Sequence, residues 1–321
     1  MLYTRRDIGK LALAAPFAGA LKGAPMINSV VDGVHFGAIT YSFNSMTPDQ
    51  IIQAFKDVGL GEVELMSNHC EAAAGAPAAG GRGGGGGGRG AGRAPLTPEQ
   101  QAAQAEAQKK VADWRASANA ATWAAVKKKF NDAGINIGIL CANMNINTTD
   151  DMIDYSFNMA KGIGAKAIST STTVEMSKRL AAFGEKHQMR IGYHCHDAVT
   201  DPNQVATLAS FETVFSYGKW NWANMDIGHY TAGGNDPVAF IQKYHDRITN
   251  LHVKDMKFNQ PGNSYMPFGQ GDTPIKAVLQ LVAKNKYKYP CDIEMERPIV
   301  ENNDPVATMK KCFEYCKGLL A

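Results

Sequence analysis

From residue 37 to the C-terminal region, strand-like and helix-like segments alternate eight times, and no other feature of the chain restricts its fold as much. The strands are expected at 37–43, 62–66, 136–143, 165–171, 190–197, 222–227, 248–255 and 291–296. Thr-Pro or Asp-Pro pairs at Thr47, Thr97, Asp201, Asp236, Thr273 and Asp304 are expected to open six of the helices. Each pair sets an N-cap side chain before a proline suited to the first helical position. Repetition of this kind predicts a single (β/α)8 TIM barrel over residues 34–320 rather than a doubly wound sheet. A flat sheet shows the same alternation but does not gather the ends of strands five to eight around one centre.

Those four strand ends carry the chemistry. In 190–197, Arg-Ile-Gly-Tyr-His-Cys-His-Asp, the period-two alternation puts His194 and His196 on one face and Tyr193 and Cys195 on the other. The same alternation groups Asn224 with Asp226, Asn250 with His252 and Lys254, and Asp292 with Glu294 and Glu296. Barrel interiors are normally filled by branched apolar side chains. Inward charges are costly unless paired or bound to a metal.

His194, Asp226, His252 and Glu294 are therefore the candidate ligands of one divalent ion. Two imidazoles with two carboxylates favour Mn, Co, Zn or Fe over Mg. Glu294, Glu296 and His229 are the acid–base candidates. Lys254 is a candidate substrate contact. Glu64, inward on the second strand, reads as a partner of a buried Lys or His and is a further candidate for the substrate. His187 and His245, on or beside helices, read as solvated or capping residues. An ion chelated by a sugar's neighbouring oxygens polarises the carbonyl, and a nearby carboxylate then removes the adjacent proton.

The remaining features set the context. Of 321 residues, 45% are apolar, enough for a sizeable core, and the formal charge of +3 shows no basic stripe for a nucleic acid. Thr-Arg-Arg-Asp-Ile-Gly-Lys at 4–10, a weakly apolar run and Ala-Gly-Ala at 18–20 read as a twin-arginine leader over residues 1–24. Export to the periplasm is expected, with no membrane span in the mature chain. Residues 72–95 are rich in Ala, Gly and Arg and are expected to be a disordered loop after the second strand. The six cysteines do not make a disulfide framework, and Cys312 and Cys316 read as unpaired helix residues. Homo-oligomerisation stays open.

The chain resembles the xylose isomerase-like TIM-barrel superfamily, and within it the sugar phosphate isomerases/epimerases, over about residues 34–318. The resemblance rests on Gly61 to Met66, Tyr-His-Cys-His-Asp at 193–197 and Met-Asp-Ile-Gly-His at 225–229. It rests also on Arg247 through Leu-His-Val-Lys-Asp at 251–255, Gly-Gln-Gly-Asp at 269–272 and Ile-Glu-Met-Glu-Arg-Pro at 293–298. It implies one divalent metal held by a Glu-Asp-His-Glu set, of which Asp226, His252 and Glu294 match the last three. His194 stands where many relatives have Glu, so a symmetric two-glutamate mechanism does not carry over. His196 and His229 are similar to substrate-contacting histidines, and Arg297 to a substrate partner.

The expected activity is isomerisation or epimerisation of a small carbohydrate, because an exported enzyme meets free or keto sugars rather than sugar phosphates. The alternatives are lyase or hydratase chemistry on 3-keto-sugars or glycosides, and a non-catalytic sugar-binding barrel. Phosphodiester cleavage of the endonuclease IV type would need more histidines and a basic groove.

Overall fold

The computed structural model describes residues 24–78, 96–262, 264–296 and 299–321. Eight parallel strands close into a barrel: β2 (Val34–Ile39), β3 (Glu62–Met66), β4 (Asn136–Cys141), β5 (Ala167–Thr170), β6 (Arg190–His194), β7 (Asn221–Asp226), β8 (Ile248–Val253) and β9 (Cys291–Ile293). Each pairs with its neighbour in chain order, and β9 returns to β2. A short strand, β1 (Val30–Val31), pairs antiparallel with β2.

The helices are α1 (Pro48–Val58), α2 (Ser67–Ala73), α3 (Pro98–Ser117), α4 (Ala120–Asp132), α5 (Asp150–Ile163), α6 (Val174–His187), α7 (Leu208–Ser216), α8 (Ile227–Ala232), α9 (Pro237–Tyr244), α10 (Ile275–Asn285) and α11 (Pro305–Gly318). Among the described residues no helix is long and apolar enough to cross a membrane.

Local chemistry sets the boundaries. In α1 the Thr47 side chain accepts from the Gln50 N–H while Gln50 answers the Thr47 N–H, and Gly59 at φ 87° ends the helix. Thr97, Asp236 and Asp304 likewise cap helices that begin on proline. Two expected caps do other work. Asp201 turns the chain by accepting from Asn203 N–H, and α7 starts later on a Thr207–Ser210 capping box. Thr273 accepts from Met256 N–H, and α10 starts after Pro274 with no side-chain cap.

The long helix expected over 99–133 breaks at Ala118, because Asn119 caps α4 through Ala121 and Thr122 N–H. The first strand ends at Ile39, and Thr40–Phe43 form a 3-10 turn instead of continuing it. The eighth strand ends at Ile293 rather than 296. Ala72 and Ala73, expected in the glycine-rich loop, belong to α2. Residues 79–95 and the expected leader, up to residue 23, lie outside the described residues.

Helices and strands share an apolar layer outside the barrel, built from outward residues such as Val34, Phe36, Leu65, Leu140, Ile191, Met225 and Leu251. The six cysteines are buried and free, as expected. Residues 24–31 close the N-terminal end of the barrel. Ile27 N–H donates to Gly134 O, Ser29 Oγ donates to Phe36 O, and Gly61 N–H donates to Ser29 Oγ.

Inside, the barrel is polar. Glu64 of β3, fully buried, accepts from Ser169 of β5, Asn224 of β7 and Asn250 of β8, none of them on a strand adjacent to β3. Asn250 also donates to Asp292 of β9. Burial and then the nearby Glu64 charge push the Asp292 carboxyl well above the usual range. A side chain at Gly37 would not fit, since a Cβ there would stand 2.3 Å from Asp292 Oδ1.

His69 on α2 is a buried neutral histidine that the sequence did not single out. Thr40 Oγ1 accepts from Met66 N–H at 2.9 Å and meets His69 Nδ1 at 2.9 Å. Burial lowers the His69 pKa to about 4 from 6.5. The unfolded chain therefore takes up this proton first, and stability is lost as pH falls from about 6.5 towards 4, by about 3 kcal/mol in all. His69→Asn keeps an acceptor at the same place and should flatten that part of the pH profile in urea unfolding. An unchanged slope would exclude His69 as its source.

Candidate functional site

The strand register brings the expected residues to the C-terminal mouth. His194 pairs with Asn224, and Asp226 with His252, while Glu294 lies two residues beyond Asp292, the partner of His252. His194, Asp226, His252 and Glu294 are all buried, and one donor atom from each lies within 4.8 Å of the others. Bonds of about 2.1 Å to one ion imply donor separations of roughly 3–4 Å, so a small inward shift of side chains completes the set.

The donor set fits a divalent ion on its own evidence. His194 Nε2 and Asp226 Oδ2 are 3.3 Å apart, yet neither makes a directed hydrogen bond. Asp226 Oδ1 is occupied separately, accepting from His229 N–H at the start of α8.

His252 is held from both sides. Its Nε2 lies 2.6 Å from Glu64 Oε2, and its Nδ1 lies 2.9 Å from Glu294 Oε2. Burial works against a charged ring, but the two carboxylates overcome it and raise the pKa well above the usual histidine range. That positive charge between two carboxylates is the requirement an ion would meet. With Nε2–H donated to Glu64, the Nδ1 lone pair is left for a metal, an arrangement common behind ligating histidines. Burial also opposes the charge on Asp226, and Lys254 and His229 nevertheless hold its pKa low.

Lys254 is almost fully buried, with Nζ 3.0 Å from Glu294 Oε2, 3.2 Å from Asp226 Oδ2 and 3.2 Å from Glu296 Oε1. These three acids outweigh its burial and keep it charged. Glu296 stands nearer the mouth, its side chain 16% exposed, and accepts from Tyr41 OH at 3.2 Å. Burial and then Glu296 push the Tyr41 hydroxyl up to about 12, so it stays a donor. His229 lies 3.5 Å from Asp197 through Nδ1, and its ring is 5.2 Å from His196. Burial and then the neighbouring His194 and His229 keep His196 neutral.

Two expectations need restating. Glu64 does not face the substrate space: it is fully buried beneath the candidate ligands with both oxygens engaged, and it supports His252. Arg297 lies outside the described residues.

Tyr41 and Tyr265 are additions the sequence reading missed. Tyr41 lies two positions beyond Ile39, in line with the inward alternation of β2, whereas Tyr265 comes from a loop with no periodic signal. Its ring lies 5.4 Å from Lys254 Nζ. Asp255 shapes that loop by accepting from Gly269, Gly271 and Thr273 N–H. A Cβ at Gly271 would stand 1.9 Å from Asp255 Oδ1, which accounts for the second glycine of Gly-Gln-Gly-Asp.

Support of a ligating histidine is commonly worth 10–100-fold in metal affinity. Glu64→Gln should therefore weaken binding of a divalent ion by about that factor, measured by chelator competition. Parent-like affinity would mean that the Glu64 charge does not serve the site.

Residues 167–316, which contain all four candidate ligands, match the family described as xylose isomerase-like TIM barrel. An inosose dehydratase of Clostridium botulinum is 26% identical over 157 residues, 43% of this chain and 51% of that protein. The chain thus spans about half the length of this curated relative.

Among solved structures, the IOLI protein with a bound zinc atom superposes with a TM-score of 0.61 at 12% identity. That match covers 89% of this chain and 98% of the other. The E. coli 3-keto-D-glucoside 4-epimerase gives 0.60 at 9% identity, covering 89% and 99%. These likenesses carry the fold. Residues 167–316 thus belong to the family described as xylose isomerase-like TIM barrel, and the described chain as a whole closes into an eight-stranded TIM barrel.

Proposed function

We propose that the protein is a metal-dependent isomerase or epimerase of a free or keto sugar, working through an enediolate. The observation that carries this reading is the convergence of His194, Asp226, His252 and Glu294, with His194 Nε2 and Asp226 Oδ2 buried and making no hydrogen bond. Mn, Co, Zn or Fe suits two imidazoles and two carboxylates better than Mg. When bound, the ion supplies Lewis acidity to a carbonyl oxygen and acidifies the neighbouring C–H.

The chain's own residues handle the proton. Glu296 takes it at the mouth, with Lys254 and Tyr41 holding its carboxylate in place. His229, steadied by Asp197, is the second acid–base group and lies on the opposite side of β8 in the strand order. Return of the proton to the neighbouring carbon, or to the other face of the same carbon, completes isomerisation or epimerisation.

A second reading is supported by the curated relatives, which include two clostridial inosose dehydratases. There the same first proton is removed, and a hydroxyl on the adjacent carbon leaves as water instead of a proton returning. The proposal extends to export by the twin-arginine route, under which the sugar is free or oxidised rather than phosphorylated.

The test is elemental analysis of the purified chain, followed by keto-sugars in heavy water. About one equivalent of metal and deuterium uptake beside the carbonyl are expected, and Glu296→Gln should slow exchange by roughly 100-fold or more. His252→Ala should lose both metal and exchange. Exchange by a metal-free His252→Ala chain would overturn the mechanism, and metal retention without exchange on any sugar would favour a binding role.

A further inference from the structure

Beside the metal centre lies a second cavity of about 340 Å3, outside the ends of β3 and β4. Its wall includes Ser67, Glu71, Arg115, Asn143, Asn147 and Tyr155. A short chain of contacts links the cavity wall to the centre. His194 Nδ1 lies 3.4 Å from Ser171 Oγ, and Ser171 N–H donates at 2.8 Å to Asn143 Oδ1. Ile39, Met66 and Cys141, buried at the ends of β2, β3 and β4, form a separate small apolar cluster with Tyr41 against it. Ser67 follows Met66 directly, and Asn143 stands two residues beyond Cys141.

The wall is built and electrically balanced. Arg115 Nε and Nη2 donate to the two oxygens of Glu71 at 2.7 and 2.9 Å, and Tyr155 OH donates to Glu71 Oε1 at 2.9 Å. Glu71 is itself 8% exposed. Burying such a pair is costly unless its hydrogen bonds are completed, as they are here. Because Glu71 cancels the Arg115 charge, the cavity holds no surplus cation for a phosphate. Its other polar groups are amides and hydroxyls that both donate and accept, which is the complement of a polyol. The volume lies within the range of small-ligand pockets.

We propose that this cavity binds the second sugar ring of a glycoside whose first ring lies at the metal centre. The inference builds on the function proposed above and narrows its substrate class to glycosides. Arg115 comes from α3, where Val111 is the one buried residue, so the Glu71 pair also anchors that helix. Asn147 is exposed, and no hydrogen bond of its side chain holds the fold.

The test uses the full metal-loaded chain and equilibrium calorimetry. The probes are methyl glucoside and a panel of methyl diglucosides in all α and β linkages, which carry vicinal hydroxyls but no carbonyl and are not turned over. At least one diglucoside should bind more than about tenfold tighter than methyl glucoside. Asn147→Ala and Arg115→Gln should each cut that ratio to within about threefold of unity while metal content stays that of the parent. A ratio below tenfold for every diglucoside, or a ratio that survives both variants, overturns the second-ring site. Failure of the metal-centre reading shows separately, as a chain without metal or without deuterium exchange.

Discussion

A single carboxylate spans the inside of this barrel. Glu64 rises from β3 and meets β5, β7 and β8 at once, so the polar layer it organises joins strands far apart in sequence. An unpaired charge at that depth would cost several kcal/mol, which explains why Ser169, Asn224, Asn250 and His252 all turn towards it. The same contact fixes the His252 ring. Electrostatics in the closed interior and geometry at the mouth are therefore one problem, solved by one side chain.

The candidate centre was largely legible before any coordinates because a parallel barrel obeys two simple rules. Period two decides which residues point inward, and the C-terminal ends of the strands face one mouth. His194, Asp226, His252 and Glu294 follow from those rules alone, as does the inward placing of Asn224 and of Asn250. What period two does not tell is depth. It left Glu64 as a candidate for the substrate, whereas the number of partners it collects puts it below the ligands. Residues outside the strands escape the rule altogether, which is why Tyr265 in its loop and the Glu71–Arg115 pair on α2 and α3 were invisible.

Proline punctuation was informative to a similar degree. At Thr47, Thr97, Asp236 and Asp304 the side chain is free to cap, and the helix starts there. At Asp201 and Thr273 the same dipeptide is drawn into a turn or a loop anchor, since nearby backbone N–H groups compete for the oxygen. Such competition depends on tertiary neighbours and leaves no local trace. The break at Ala118 is different: Asn119 is a good cap read too weakly against a long run of helix formers.

Residues 24–31 lie across the N-terminal end of the barrel, where Ile27 and Ser29 bind to Gly134, Phe36 and Gly61. The metal-centre candidates lie at the other end. Ala24, the first described residue, therefore lies on the face away from the mouth. A tether there, to a bead, a carrier or another protein, would hold the barrel upright with its opening pointing out into solution.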